Sequence, residues 1–123
     1  MPTFNFVLLH VTDESASAAF YSETLGIPII EEKPGFAMLP LSEGVMLGLW
    51  QRDTVAPSSS GQSGASEIGV GVADDAAVAA LHAAWHARGV TMLQAPAPMP
   101  FGMTFVAQDA DGHRLRVTAP PVG

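Results

Sequence analysis

Residues 4–28 read FNFVLLHVTDESASAAFYSETLGIP, and residues 67–89 read EIGVGVADDAAVAALHAAWHARG. Each stretch opens on an apolar run, passes through Val-x-Asp (Val11-Thr12-Asp13 and Val72-Ala73-Asp74) and reaches a glycine, Gly26 or Gly89. An aspartate just past a strand suits a helix N-cap, because its carboxylate accepts from unpaired N–H groups of the first turn. A glycine at the other end supplies the left-handed residue that closes a helix. The spacing predicts two helices, with Ala16, Ala19, Phe20 and Leu25 recurring on the first and Val78, Leu81 and Trp85 on the second.

Working outward, the first module should hold strands over Phe4–Val11, Ile27–Lys33, Phe36–Pro40 and Val45–Gln51, with turns at Pro34-Gly35 and Ser42-Glu43-Gly44. In the second, strands fit from Glu67 to Val72, Val90–Ala95, Met103–Gln108 and Leu115–Thr118, the last two joined by an Asp111-Gly112 turn. The order strand, helix, strand, strand, strand thus occurs twice. The expectation is an α+β fold of two βαβββ modules in tandem, together enclosing a small-molecule cleft. Residues 1–123 form a single domain in this reading: module one 3–52, linker 53–65, module two 66–119. The linker is rich in Ser, Gly and Pro and should be exposed. Ala95–Phe101, with three prolines, cannot be a sheet interior and reads as a stiff connection or spacer.

Composition narrows the function. The chain has 123 residues, of which 48% are apolar and 14% charged, so it can build a core. Twelve acids against five bases give a net charge of −7, which argues against nucleic acid and an anionic membrane surface as partners. Without cysteine there is no disulfide, thiolate metal site or Cys nucleophile. No basic residue precedes Lys33 and no apolar run reaches the ~20 residues of a membrane span, so a cytoplasmic location is expected. No phosphate-binding Gly-Lys-Ser/Thr follows the linker, and Gly69-x-Gly71 lacks the third glycine of a dinucleotide fingerprint.

FYSETLGIP (Phe20–Pro28), coming after a strand and Val-x-Asp, resembles the first module of the vicinal-oxygen-chelate superfamily, which includes glyoxalase I, extradiol dioxygenases and bleomycin-resistance proteins. DADGHRLRV (Asp109–Val117) resembles its closing turn and final strand. A narrower likeness, carried by ARGVTMLQAP (Ala87–Pro96) and FGMTFVAQDADGHRLRV (Phe101–Val117), is to the phenazine-antibiotic-resistance branch. The resemblance implies a glyoxalase-like curved-sheet cup, a two-fold homodimer and, in that branch, sequestration of an aromatic antibiotic.

In enzymes of this superfamily a divalent ion is held by four ligands, one on the first and one on the last strand of each module. Carried over, those positions are Phe6, Gly48, Glu67 and Arg116. Only Glu67 can donate to a metal, and the fixed charge of Arg116 would repel one. No metal, no cofactor and no catalytic residue is therefore expected. His82 and His86 stand at i and i+4, a spacing that can bind a metal, but no third ligand follows and a solvated helix face is the better reading. His113 should be exposed beside its turn. His10 shares a strand face with Phe6 and Leu8, and reads equally as a rim residue or as a hydrogen-bonded core histidine. Acid–base chemistry without a metal stays open through His10 or Glu67.

A benzyl group and a bare backbone position in place of ligands make an aromatic-lined cleft. Met46, Gly48 and Trp50 share one strand face, while the face taken by Phe36 and Met38 depends on register. Trp85 belongs to the core. Glu67 and Arg116 come from matching positions of one module and can pair, or Arg116 can bind an oxyanion on the ligand. The expected ligand-binding set is Phe6, Leu8, His10, Met46, Gly48, Trp50, Glu67 and Arg116, with Met99 and Phe101 at the rim. The function expected is a non-catalytic protein that sequesters an apolar aromatic compound such as a phenazine-like antibiotic. Rival readings are a lyase, isomerase or dioxygenase with an unusual or metal-free site, a bleomycin-like binder, and a chain with no small-molecule ligand.

Overall fold

The structure is a computed structural model that describes residues 4–58 and 61–121. The tandem βαβββ pattern is present. Module one runs β1 (Phe6–Val11), α1 (Glu14–Leu25), β2 (Glu31–Lys33), β3 (Phe36–Ser42) and β4 (Val45–Gln51). Module two runs β5 (Glu67–Gly71), α2 (Asp75–Ala87), β6 (Thr91–Met99), β7 (Gly102–Gln108) and β8 (Arg114–Thr118). The two sheets have equivalent orders, β1-β4-β3-β2 and β5-β8-β7-β6, and in each the first strand lies parallel to the last. Two compact units result, 1–63 and 64–123.

Both helices start as their aspartates dictate. Asp13 accepts from Ser15 N at 3.0 Å and Ala16 N at 3.1 Å, and Asp74 accepts from Ala77 N at 2.8 Å. Gly26 closes α1 in the left-handed conformation, φ 69°, its N–H donating to Ser22 O at 2.9 Å.

Strand alternation then sorts each sheet into two faces. In module one Leu9, Val11, Ala37, Leu39, Leu47 and Leu49 are buried on the face that α1 covers. The buried side of α1 is Ser17, Ala18, Tyr21 and Thr24, whereas Ala16 and Ala19 are exposed. The expected stripe was misplaced because apolar residues are spread almost evenly around this helix, and small polar residues fit the close approach to the sheet. In module two Val78 and Trp85 of α2 are buried, and the rings of Trp85 and His82 each meet Phe105 edge-on at 5.3 Å.

Most strand boundaries fall within two residues of expectation, and three regions differ further. β2 covers only its last three residues, since Pro28 lacks an N–H; Ile30 N still donates to Met38 O at 2.9 Å. The proline-rich stretch after Val90 is strand as far as Met99 and not a connection. It is tolerated because β6 is the edge of its sheet and its pairing with β7 shifts register on both sides of Gln94. Within the expected linker, Arg52 donates to Ser63 Oγ at 3.3 Å and to Gly61 O at 3.4 Å, and Ser63 Oγ donates to His10 O at 2.8 Å. Ser59 and Ser60 of that linker lie outside the described residues. No helix among the described residues is long and apolar enough to cross a membrane.

Candidate functional site

The face of the first sheet opposite α1 carries the candidate site. Register pairs Phe6 with Met46, Leu8 with Gly48 and His10 with Trp50, and across β4 pairs Phe36 with Trp50 and Met38 with Gly48. All of these side chains project opposite to buried Leu47 and Leu49. Phe36 and Met38, whose face the sequence left open, thus join Gly48 and Trp50.

Phe6, Leu8, Lys33, Phe36 and Trp50 line a recess of about 360 Å³. Gly48, expected at the site, is buried beneath these side chains and does not itself line the recess. A Cβ there would stand 2.6 Å from Leu8 Cδ2, 3.1 Å from Phe6 Cε1 and 3.2 Å from Phe36 Cζ. The rings of Phe36 and Trp50 meet edge to face, with centroids 6.3 Å apart and planes at 84°. Phe6 is 42% and Leu8 45% exposed, a high figure for side chains with no polar atom. Exposed apolar groups gathered in one concave place mark a binding surface, whereas scattered ones carry no meaning. His10 and Met46 are half-buried on this same face but do not line the recess. Lys33 and Phe36 do line it. They were absent from the residues expected at the site because their placement depends on the β2–β3–β4 register, which no periodicity in the sequence reveals.

The corresponding face of the second sheet is polar. Arg116 donates to Glu67 through Nη2 at 3.0 Å and through Nε at 3.3 Å, and Arg114 Nη1 lies 3.9 Å from the same carboxylate. The Arg116 hydrogen bonds hold the Glu67 carboxyl below its ordinary range, against a smaller opposing effect of burial, while charge attraction from both arginines adds to the lowering. Glu67 and Arg114 also border a second recess of about 530 Å³, with Gly64, Ala65 and Ser66. Met99 and Phe101, expected at the rim, belong to the β6–β7 end of module two and line neither recess.

The ion pair yields a pH prediction. Because the Glu67 pKa is depressed on folding, the pair's contribution is complete above the unfolded carboxylate pKa and is lost as pH falls through the depressed value. In Arg116→Ala the Glu67 carboxyl should titrate nearer its ordinary value, as read by carboxyl-carbon NMR. Stability should change by less than about 1 kcal/mol, since the pair faces solvent. An unchanged titration would contradict the pairing.

The four positions that correspond to metal ligands do not fit a divalent ion. Phe6 and Gly48 adjoin but offer no lone pair, and Glu67 is bound by a guanidinium. Among the described residues no three His, Cys, Asp or Glu side chains converge in a way that could hold a metal. The His82 and His86 rings stack with centroids 6.0 Å apart. His113, expected to be exposed, is 5% exposed, with Nδ1 2.6 Å from Ser66 Oγ. Asp109 explains this, since its carboxylate accepts from the N–H groups of Asp111 and His113, each at 2.9 Å, and so turns the chain back inward.

Comparison with known proteins agrees with this architecture. Residues 3–117 match the model of the glyoxalase/bleomycin resistance protein/dioxygenase superfamily. No curated protein matches the sequence. The solution structure of a protein from Agrobacterium tumefaciens is 44% identical, with a TM-score of 0.88, over 99% of this chain and 100% of that one. A glyoxalase/bleomycin resistance protein/dioxygenase from Nocardioides is 24% identical, with a TM-score of 0.84, over 100% and 86%. An antibiotic binding protein from a Streptomyces species is 21% identical, with a TM-score of 0.77, over 98% of each chain. At those last two identities the likeness is one of fold. The family model spans nearly the whole sequence and the two-module topology matches it, so this chain belongs to the glyoxalase/bleomycin resistance protein/dioxygenase superfamily.

Proposed function

We propose that the protein binds and sequesters an apolar, planar aromatic compound of the phenazine class, without turning it over. The observation that carries this reading is the module-one recess, lined by Phe6, Leu8, Phe36 and Trp50, which close over the bare backbone of Gly48. A fused ring held in that recess stacks against indole and phenyl groups, each such contact contributing roughly 0.5–1.5 kcal/mol beyond burial. The residues at the superfamily's ligand positions cannot form the coordination sphere that its metal enzymes need. A Streptomyces protein of the same fold is an antibiotic binding protein, which supports the reading by analogy of fold alone. The proposal includes a cytoplasmic homodimer.

Tryptophan fluorescence tests it. Trp50 lines the recess, whereas Trp85 is 2% exposed in the core of module two, so a ligand in the recess should perturb one emitter selectively. A phenazine should quench saturably with a Kd of about 10 μM or tighter, and Trp50→Phe should lose that signal. Bleomycin should leave it unchanged. Saturation by bleomycin with indifference to phenazines would overturn the proposal in favour of a binder of a cationic ligand.

A further inference from the structure

We infer that the apolar ring system held in the module-one recess carries an anionic substituent, a carboxylate or ionised phenol, and that Lys33 selects it. The inference rests on the reading of the recess as an aromatic-binding site and adds the charge of its occupant. Lys33 is the only lysine in the chain. The β2–β3 register sets it opposite Phe36, on the recess face, and it is the only charged residue lining that recess. Its Nζ stands 5.8 Å from the centroid of the Phe36 ring. A ring attracts an ammonium through its quadrupole but does not neutralise it. Among the described residues Lys33 forms no ion pair. The other cations near these two sheets are engaged, Arg52 by Ser63 and Gly61, Arg114 and Arg116 by Glu67.

The surrounding charge makes this placement selective. A chain of net charge −7 repels small anions in general, and Glu31, opposite Met38, shares the face of Lys33 while Glu32 points the other way. An anionic group is therefore favoured only where it reaches the ammonium at one end of the recess, with the apolar rings taking the rest of the ligand. A neutral aromatic gains the stacking alone. A cationic one meets Lys33 directly.

The test compares a phenazine carboxylate with its neutral carboxamide on the full chain, following Trp50 emission. The carboxylate should bind roughly fivefold more tightly or better, and added salt should erode that preference. Lys33→Met keeps the apolar stem and should abolish the preference, weakening the carboxylate more than the carboxamide; Lys33→Arg should restore it. Equal binding of the two probes by the native protein, or equal weakening of both by Lys33→Met, overturns the inference and leaves the aromatic recess standing. Failure of both probes to bind at all removes the recess reading, and this inference with it.

Discussion

Gly48→Val should abolish aromatic binding, with a loss of affinity of at least about tenfold, while the protein stays folded. The valine Cβ would enter the space held by Leu8 Cδ2 and crowd Phe6 and Phe36. Leu8 is 45% exposed, so its side chain can swing outward, and the volume lost comes from the recess rather than from the core. Gly48 has no left-handed backbone angle, and a β-branched residue suits a strand, so stability should stay within roughly 1 kcal/mol of the native protein. The check is a phenazine titration beside a urea melt of the same sample. A variant that binds normally would show that the ligand does not occupy this recess.

Gly102→Ala should produce the largest stability loss of any glycine substitution in the chain, at least about 3 kcal/mol. Gly102 opens β7 at φ 131°, a region closed to side chains, and a Cβ there would overlap the carbonyl oxygen of Ala119. That neighbour is backbone, fixed by the hydrogen bond from Ala119 N to Met103 O at 3.0 Å, and cannot swing aside. Since domains of this size are stable by only about 5–15 kcal/mol, the melting midpoint should fall by on the order of 10 °C. Gly69→Ala is the control. It meets nothing within 4 Å and should change stability by less than about 0.5 kcal/mol. Similar midpoints for the two variants would contradict the assignment.

The repeat was legible because its punctuation is local. Asp13 and Asp74 cap helices through atoms two or three residues away, and Gly26 ends one through a single backbone conformation. Features that depend on partners distant in sequence were harder to read. The buried side of α1 is drawn from Ser17, Ala18, Tyr21 and Thr24, which no hydrophobic pattern distinguishes. The prolines of β6 disguised a strand whose edge position asks little of its N–H groups. His113 is drawn inward by a turn that Asp109 organises, and a surface turn with a histidine beside it looks the same in sequence. At the site, alternation within β1 and β4 was enough to group Phe6 and Leu8, and Gly48 and Trp50. Bringing Lys33 and Phe36 beside them required three strands in register. The pairing of Glu67 with Arg116 was readable because equivalent positions of one module must come close.

Contacts between a bound phenazine's ring protons and the protein, measured as intermolecular nuclear Overhauser effects, bear most directly on where an aromatic ligand sits. Cross-peaks to the Phe6 and Phe36 rings, the Leu8 methyls and the Trp50 indole are the expected result. Cross-peaks confined to module two, around Glu67 and Arg116, would contradict it.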